Sequence, residues 1–209
     1  GGFYLDILKD RLYTCKEDSL ARRSAQTILF QILEALVRWV SPILSFTAEE
    51  TWRLYHKDLE SVHLSEWYED WVCSSEGIIT ESDWLKVLNV RSEVNKVIES
   101  SRNNSVIGSA LEAEIELLCT SDLEKVLCKF SGELRFVFIT SEAKVLPENG
   151  EGKETEIEGL KIKISKTQEQ KCERCWHSRP KVGSIKDHPT LCNRCIDNIE
   201  GEGEDRLFA

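Results

Sequence analysis

Methionine is absent from all 209 residues, and the chain opens on Gly1-Gly2, so we read it as a portion of something longer. Long apolar runs are absent too. The richest stretch, Ile28 to Phe46, is interrupted by Gln31, Glu34 and Arg38, short of the roughly 18 uninterrupted apolar residues a helical span needs. No basic n-region followed by an apolar h-region precedes it, so no secretory signal is expected. Aromatic residues make up only 8%, with 41% hydrophobic and 31% charged residues. That composition excludes fibrous and disordered classes and suits an ordinary globular protein.

The eight cysteines fall into two populations. Cys15, Cys73, Cys119 and Cys128 are scattered singly, where a small buried apolar residue would serve. Cys172, Cys175, Cys192 and Cys195 form two C-x2-C pairs sixteen residues apart, within the spacing range of a four-thiolate zinc site. Paired knuckles without a secretory signal favour reduced thiols in the cytoplasm over disulfides. Two residues between thiolates let the backbone turn both sulfurs toward one ion, and two such turns close a tetrahedron. All four positions are then filled, which excludes a metal-bound water nucleophile. Residues 169–209 hold few large apolar side chains, too few to offset the ordering entropy of about forty residues, so metal binding is expected to be part of folding.

Helical periodicity dominates the first third: Phe3, Ile7, Leu8 and Leu12, then a stripe through Leu29, Ile32, Leu33, Leu36, Val37 and Val40. Asp18-Ser19 caps the second segment, Ser41-Pro42 stops it, and Thr47-Ala48-Glu49-Glu50 reads as a capping box opening the next. Leu59 to Cys73 has no period and reads as an irregular arm. A long helix follows from Asp83 to about Ser101. Leu111 to Leu117 alternates strictly and reads as a strand. Ser121 starts a short helix, Leu134–Ile139 and Leu160–Ile164 read as strands, and Pro147–Gly159 as an exposed acidic loop. The expected fold is a mainly α N-terminal helical bundle (1–78), a small α+β junction domain (79–168) and a four-cysteine zinc-binding module (169–209). Trp39, Trp52 and Trp84 lie in helical stretches and are expected in the core.

Overall there are 27 basic against 37 acidic residues, a net charge of −10. The distribution is uneven: residues 46–82 hold nine acids against two bases, and residues 160–198 nine bases against four acids. A local basic excess beside the zinc cluster could attract phosphate, or could be a solvated face.

Several segments, taken in order, resemble one family. They run from Phe3-Tyr4-Leu5-Asp6 and Lys9-Asp10-Arg11-Leu12-Tyr13, through Ser41-Pro42-Ile43-Leu44 and Phe46-Thr47-Ala48-Glu49-Glu50, to Glu133-Leu134-Arg135-Phe136. The strongest are Lys171-Cys172-Glu173-Arg174-Cys175-Trp176-His177, Leu191-Cys192-Asn193-Arg194-Cys195 and the terminal Gly203-Glu204-Asp205-Arg206-Leu207-Phe208-Ala209. From Phe3 onward the chain is similar to the C-terminal part of bacterial-type isoleucyl-tRNA synthetases, which are class I aminoacyl-tRNA synthetases. The helical segments alone would also suit the valyl, leucyl or methionyl relatives, and the zinc module selects the isoleucyl type. Positions 145–160 match poorly.

The resemblance implies an anticodon-binding helical domain, a junction domain and one structural zinc held by Cys172, Cys175, Cys192 and Cys195. It implies tRNA(Ile) as partner, beside the catalytic and editing domains of a monomeric cytoplasmic enzyme. The HIGH and KMSKS signatures that handle ATP are absent from these residues, so ATP chemistry and catalysis are expected elsewhere. Candidate tRNA contacts are Arg174, Trp176, Lys181 and Arg194, with Arg11, Arg22 and Arg23 on the helices. Trp176 either stacks on an unpaired base or lids the zinc core. Two other readings stay open: a zinc-finger DNA-binding tail of a DNA glycosylase-like repair enzyme, and a zinc-stabilised protein-interaction module.

Overall fold

The computed structural model describes residues 2–58, 60–71, 77–130 and 132–208. The chain divides into two compact units, residues 23–76 and residues 1–22 with 77–209. Helix α1 (Gly2–Thr14) opens the larger unit. Helix α2 (Leu20–Val40) begins there and continues into the smaller one. As expected, the Ser19 hydroxyl caps α2, accepting from the Arg22 amide at 3.3 Å.

Within the smaller unit, Val37 of α2 meets Ala48 and Trp52 of α3 (Ser45–Tyr55) and Val62. The Trp52 indole donates to the Glu60 carbonyl at 2.7 Å, so a full-sized apolar ring is buried without an orphaned N–H. The Thr47 capping box does not form. The N-cap lies three residues earlier, at Leu44, with no side-chain cap, so Thr47 falls inside the first turn; Glu49 meets Ser61 (2.7 Å), the Val62 amide (3.1 Å) and Arg53 (2.7 Å). Among its described residues the arm forms a 3-10 turn, Val62–Leu64; Cys73 lies outside the described residues. Trp52 is in the core, but Trp39 is 53% exposed and lies against Trp71 at 6.4 Å between ring centroids.

In the larger unit, α4 (Glu81–Asn103) opens on a capping box in which Thr80 and Asp83 each accept the other's backbone amide. Its buried stripe of Val87, Val90, Val94 and Ile98 packs with the inner face of a four-stranded sheet ordered β2-β1-β4-β3. These strands are β1 (Ala113–Cys119), β2 (Glu142–Pro147), β3 (Lys153–Glu154) and β4 (Leu160–Lys166). Strand β1 pairs parallel with β2 and antiparallel with β4, placing Ile115 beside Ala143 and Ile164. The β1–β2 crossover carries α5 (Ser121–Cys128) and α6 (Leu134–Phe138). Trp84 sits edge-on to Phe130 at 4.9 Å. Cys15 and Cys119 are buried as expected, whereas Cys128 is exposed.

The 134–139 segment departs from the strand expectation. Its apolar run is buried at Leu134, Phe136, Val137 and Phe138, and such a short continuous run fits a buried helix as well as a strand. Ile139 adopts a left-handed φ of 57° and stops the helix. The strand falls instead on Glu142–Pro147. The 147–159 segment is not all loop, since β3 pairs with β4 there. The last element, α7 (Asn193–Glu200), starts at the second cysteine knuckle.

Candidate metal centre and nucleic-acid interface

The first knuckle is closed by its own backbone. The Trp176 amide donates to the Cys172 carbonyl at 2.9 Å, and the Cys172 amide to the His177 carbonyl at 2.9 Å. The second sits at the mouth of α7, with Cys192 as N-cap and its amide 3.3 Å from the Cys172 sulfur. An N–H and a helix N-terminus aimed at sulfur both favour thiolate. The four Sγ atoms lie within 4.8 Å of one another, Cys175 to Cys192 at 3.8 Å, and all four residues are buried. A tetrahedron with Zn–S bonds of about 2.3 Å has sulfurs about 3.8 Å apart, so the residues fit that ion. Neighbouring Cys175 and Cys195 thiols hold the Cys192 group well below its ordinary value, while Cys175 is pushed up.

Zinc bound here supplies a crosslink between the knuckles and no open coordination position. The loop joining them turns at Gly183, whose φ is +75° and where a Cβ would meet the Pro189 carbonyl oxygen at 2.6 Å. His177 and His188 are not in the cluster: His188 contacts Glu200 at 2.7 Å. Burial pushes the His177 ring down to about 4 against the pull of Asp10, so it is neutral at pH 7.

Around this centre lies a buried ionic cluster that the sequence reading missed. Arg194 donates from Nε to both Glu204 oxygens at 2.8 Å, from Nη1 to Asp10 at 3.1 Å and from Nη2 to the Thr14 hydroxyl at 2.6 Å. Arg206, with a side chain only 1% exposed, reaches Asp10 at 2.7 Å and lies 3.4 Å above the Phe136 ring centre. The Glu133 carboxylate accepts the Leu207 and Phe208 amides at 2.7 and 2.9 Å, and Phe208 packs on Phe130. Burial alone would raise the Asp10 and Glu204 carboxyls. The guanidiniums outweigh it and hold both below the usual range. The only advance signal was the matching Cys-x-Arg-Cys of both knuckles.

The candidate contacts are therefore placed very differently. Trp176 is 60% exposed, at a left-handed φ of 63°, with the Lys171 ammonium 5.5 Å from its ring centre. Lys181 is exposed at a φ of 66° in the inter-knuckle loop. Arg194 turns inward, its side chain 11% exposed, because two carboxylates lie within its reach. Arg174 donates to the Thr14 and Tyr13 carbonyls at 2.7 and 3.3 Å. Arg11 is buried in α1, and Arg22 reaches the Cys15 carbonyl at 3.4 Å. Arg23 is exposed beside Gln26 in the smaller unit. Much of the basic excess is internally matched, Lys161 by Glu154, Lys163 by Glu116 and Lys166 by Glu112. A cavity of about 520 Å³ lies beside Trp176, lined among others by Asp6, Lys9, Tyr13, Leu111 and Phe136.

Residues 1–117 match the family described as the anticodon-binding domain of tRNA ligases, and residues 169–198 the zinc finger found in FPG and IleRS. The chain belongs to the tRNA-ligase anticodon-binding family. Over its whole length this anticodon-binding chain is 50% identical to the isoleucine–tRNA ligases of Acinetobacter baylyi and of Shewanella sp. strain ANA-3. It spans 22% and 23% of those relatives. The family match and the cysteine cluster together identify one structural zinc site at the end of the anticodon-binding chain. Among the described residues, no helix is long and apolar enough to cross a membrane.

Proposed function

We infer that the chain is the anticodon-reading portion of an isoleucine–tRNA ligase, working as a monomer in the cytoplasm on tRNA(Ile). The joining of isoleucine to tRNA with ATP belongs to catalytic and editing domains outside these residues. The observation that carries the reading is the Trp176 platform: a half-exposed indole fixed beside the zinc cluster and flanked by the Lys171 cation. Unpaired anticodon bases are recognised by stacking and by edge hydrogen bonds, and an indole with a neighbouring ammonium offers both a face and a charge for the adjoining phosphate. Lys181, on the loop between the knuckles, is the second phosphate candidate, and Arg23 on α2 a third.

The zinc-tail DNA-binding alternative is disfavoured by what precedes the finger, an anticodon-binding match over residues 1–117. Gel-shift competition among tRNA(Ile), a second tRNA and duplex DNA, repeated at several salt concentrations, tests the assignment. Preferential retention of tRNA(Ile) is expected. Equal competition by duplex DNA would favour a repair-type finger, and no nucleic-acid binding would leave the protein-interaction reading.

A further inference from the structure

The two knuckles carry an arginine at the same place, immediately before the second cysteine: Cys172-Glu173-Arg174-Cys175 and Cys192-Asn193-Arg194-Cys195. Both arginines end on a single turn of α1. Arg174 donates to the Tyr13 and Thr14 carbonyls, and Arg194 to Asp10 and the Thr14 hydroxyl. The last carbonyls of a helix lack intrahelical donors and sit at the negative end of its dipole, so a guanidinium satisfies them and the dipole at once. Asp10 adds a formal charge one turn earlier, and Glu204 holds the Nε of Arg194 from the other side. Trp176 follows the first knuckle directly, and its ring together with Tyr13 lines the cavity where knuckle and α1 meet.

We propose that Arg174 and Arg194 are positioning residues: a two-armed clamp, one arm from each knuckle, that seats the zinc module on the C-terminal turn of α1 and so fixes the direction of the Trp176 ring toward RNA. The clamp rests on the anticodon-reading assignment above for its purpose, but its geometry stands on its own. It assigns to two of the most basic positions near the zinc a role other than neutralising phosphate. Arg194 has its guanidinium spent on Asp10, Glu204 and Thr14. Arg174 has both terminal nitrogens directed at carbonyls. Lysine cannot replace either, because an ammonium does not span two acceptors in a planar fork.

The test uses the full 209-residue chain with zinc bound, in five forms: unchanged, Arg174→Gln, Arg174→Lys, Trp176→Ala and the Arg174→Gln/Trp176→Ala double variant that closes a cycle. Affinity for tRNA(Ile) is measured across salt concentrations, and hydrogen exchange is followed at residues 172–178. Expected for Arg174→Gln is binding weaker by on the order of tenfold, an unchanged salt slope, faster exchange at 172–178 and no rescue by lysine. In the Trp176→Ala background the further loss should vanish, because the arginine acts through the ring. An Arg174→Gln loss additive with that of Trp176→Ala, with the slope reduced by about one and lysine restoring affinity, marks a phosphate contact and overturns the clamp. Unchanged exchange in Arg174→Gln overturns it too. Failure of the anticodon assignment reads differently: Trp176→Ala would bind as the unchanged chain does, while exchange still reports whether the arms hold α1. Arg194→Met, measured by the same exchange, tests the second arm independently of RNA.

Discussion

Arg206→Met removes one guanidinium from the cluster beneath the zinc module while keeping an unbranched stem. The Arg206 side chain is 1% exposed, with Asp10 at 2.7 Å, Glu204 at 3.6 Å and Glu133 at 3.7 Å. Without it, Asp10, Glu204 and Glu133 each lose a guanidinium that faces them. Removing one partner of a buried ion pair costs about 3–5 kcal/mol, because the remaining charge is left uncompensated. The lower end applies here: Arg194 still holds Asp10 and Glu204, and methionine refills the volume over Phe136. We therefore expect a loss of about 3 kcal/mol, or roughly 6–12 °C in melting temperature for a chain of this size. Urea unfolding followed by circular dichroism is the assay, with an unchanged m-value expected. Arg206→Lys keeps the charge but not the planar contact with Phe136, and should fall between the two. A loss below about 1 kcal/mol for Arg206→Met would refute the claim that this buried network, and not the metal alone, fastens the tail.

Cys192→Ser should abolish stoichiometric zinc and raise hydrogen exchange across residues 169–208, leaving α4 and the sheet protected; mass-resolved exchange with metal analysis checks both. Gly183→Ala forces an L side chain to a φ of +75° against the Pro189 carbonyl; strain of at least about 1–2 kcal/mol should appear as weaker zinc retention against a chelator. Acid should act in two stages. His177 is protonated near 6.5 when unfolded but only near 4 when folded, so stability falls as pH drops through that window, and His177→Asn should flatten this limb. Asp10 and Glu204 are held below their unfolded values near 4, so their contribution persists above that pH and is lost below it; denaturation curves between pH 7 and 3 with zinc in excess would show both limbs.

Helix α4 was legible because it presents one apolar stripe, Val87, Val90, Val94 and Ile98, to one core; on α2 the expected stripe is only partly buried, with Ile32 and Leu36 exposed and Gln31 and Glu34 turned inward. The zinc site was legible because thiolate spacing is a local geometric constraint that needs no knowledge of the fold. What the sequence hid was long-range. The 134–138 helix reads as a strand because it is buried nearly all round, which erases the period that tells the two apart. The strand at 142–147 pairs at the sheet edge, in parallel with β1, twenty-eight residues away in sequence order. The most consequential gap was the destination of the arginines. As letters, Arg174 and Arg194 in a basic segment suggest phosphate, and only the fold brings Asp10, Thr14 and Glu204 within reach. Trp176 was the reverse case: as a letter it could stack on a base or lid the zinc core, and the fold leaves it 60% exposed.

The most direct measurement is the dissociation constant of Trp176→Ala for tRNA(Ile), taken on protein shown by metal analysis to keep one zinc per chain. Base stacking on an aromatic ring contributes about 1–3 kcal/mol, so binding should weaken by roughly 5- to 150-fold while melting temperature stays within a few degrees. Unchanged affinity with zinc retained would contradict the account and leave the indole as a cover over the metal.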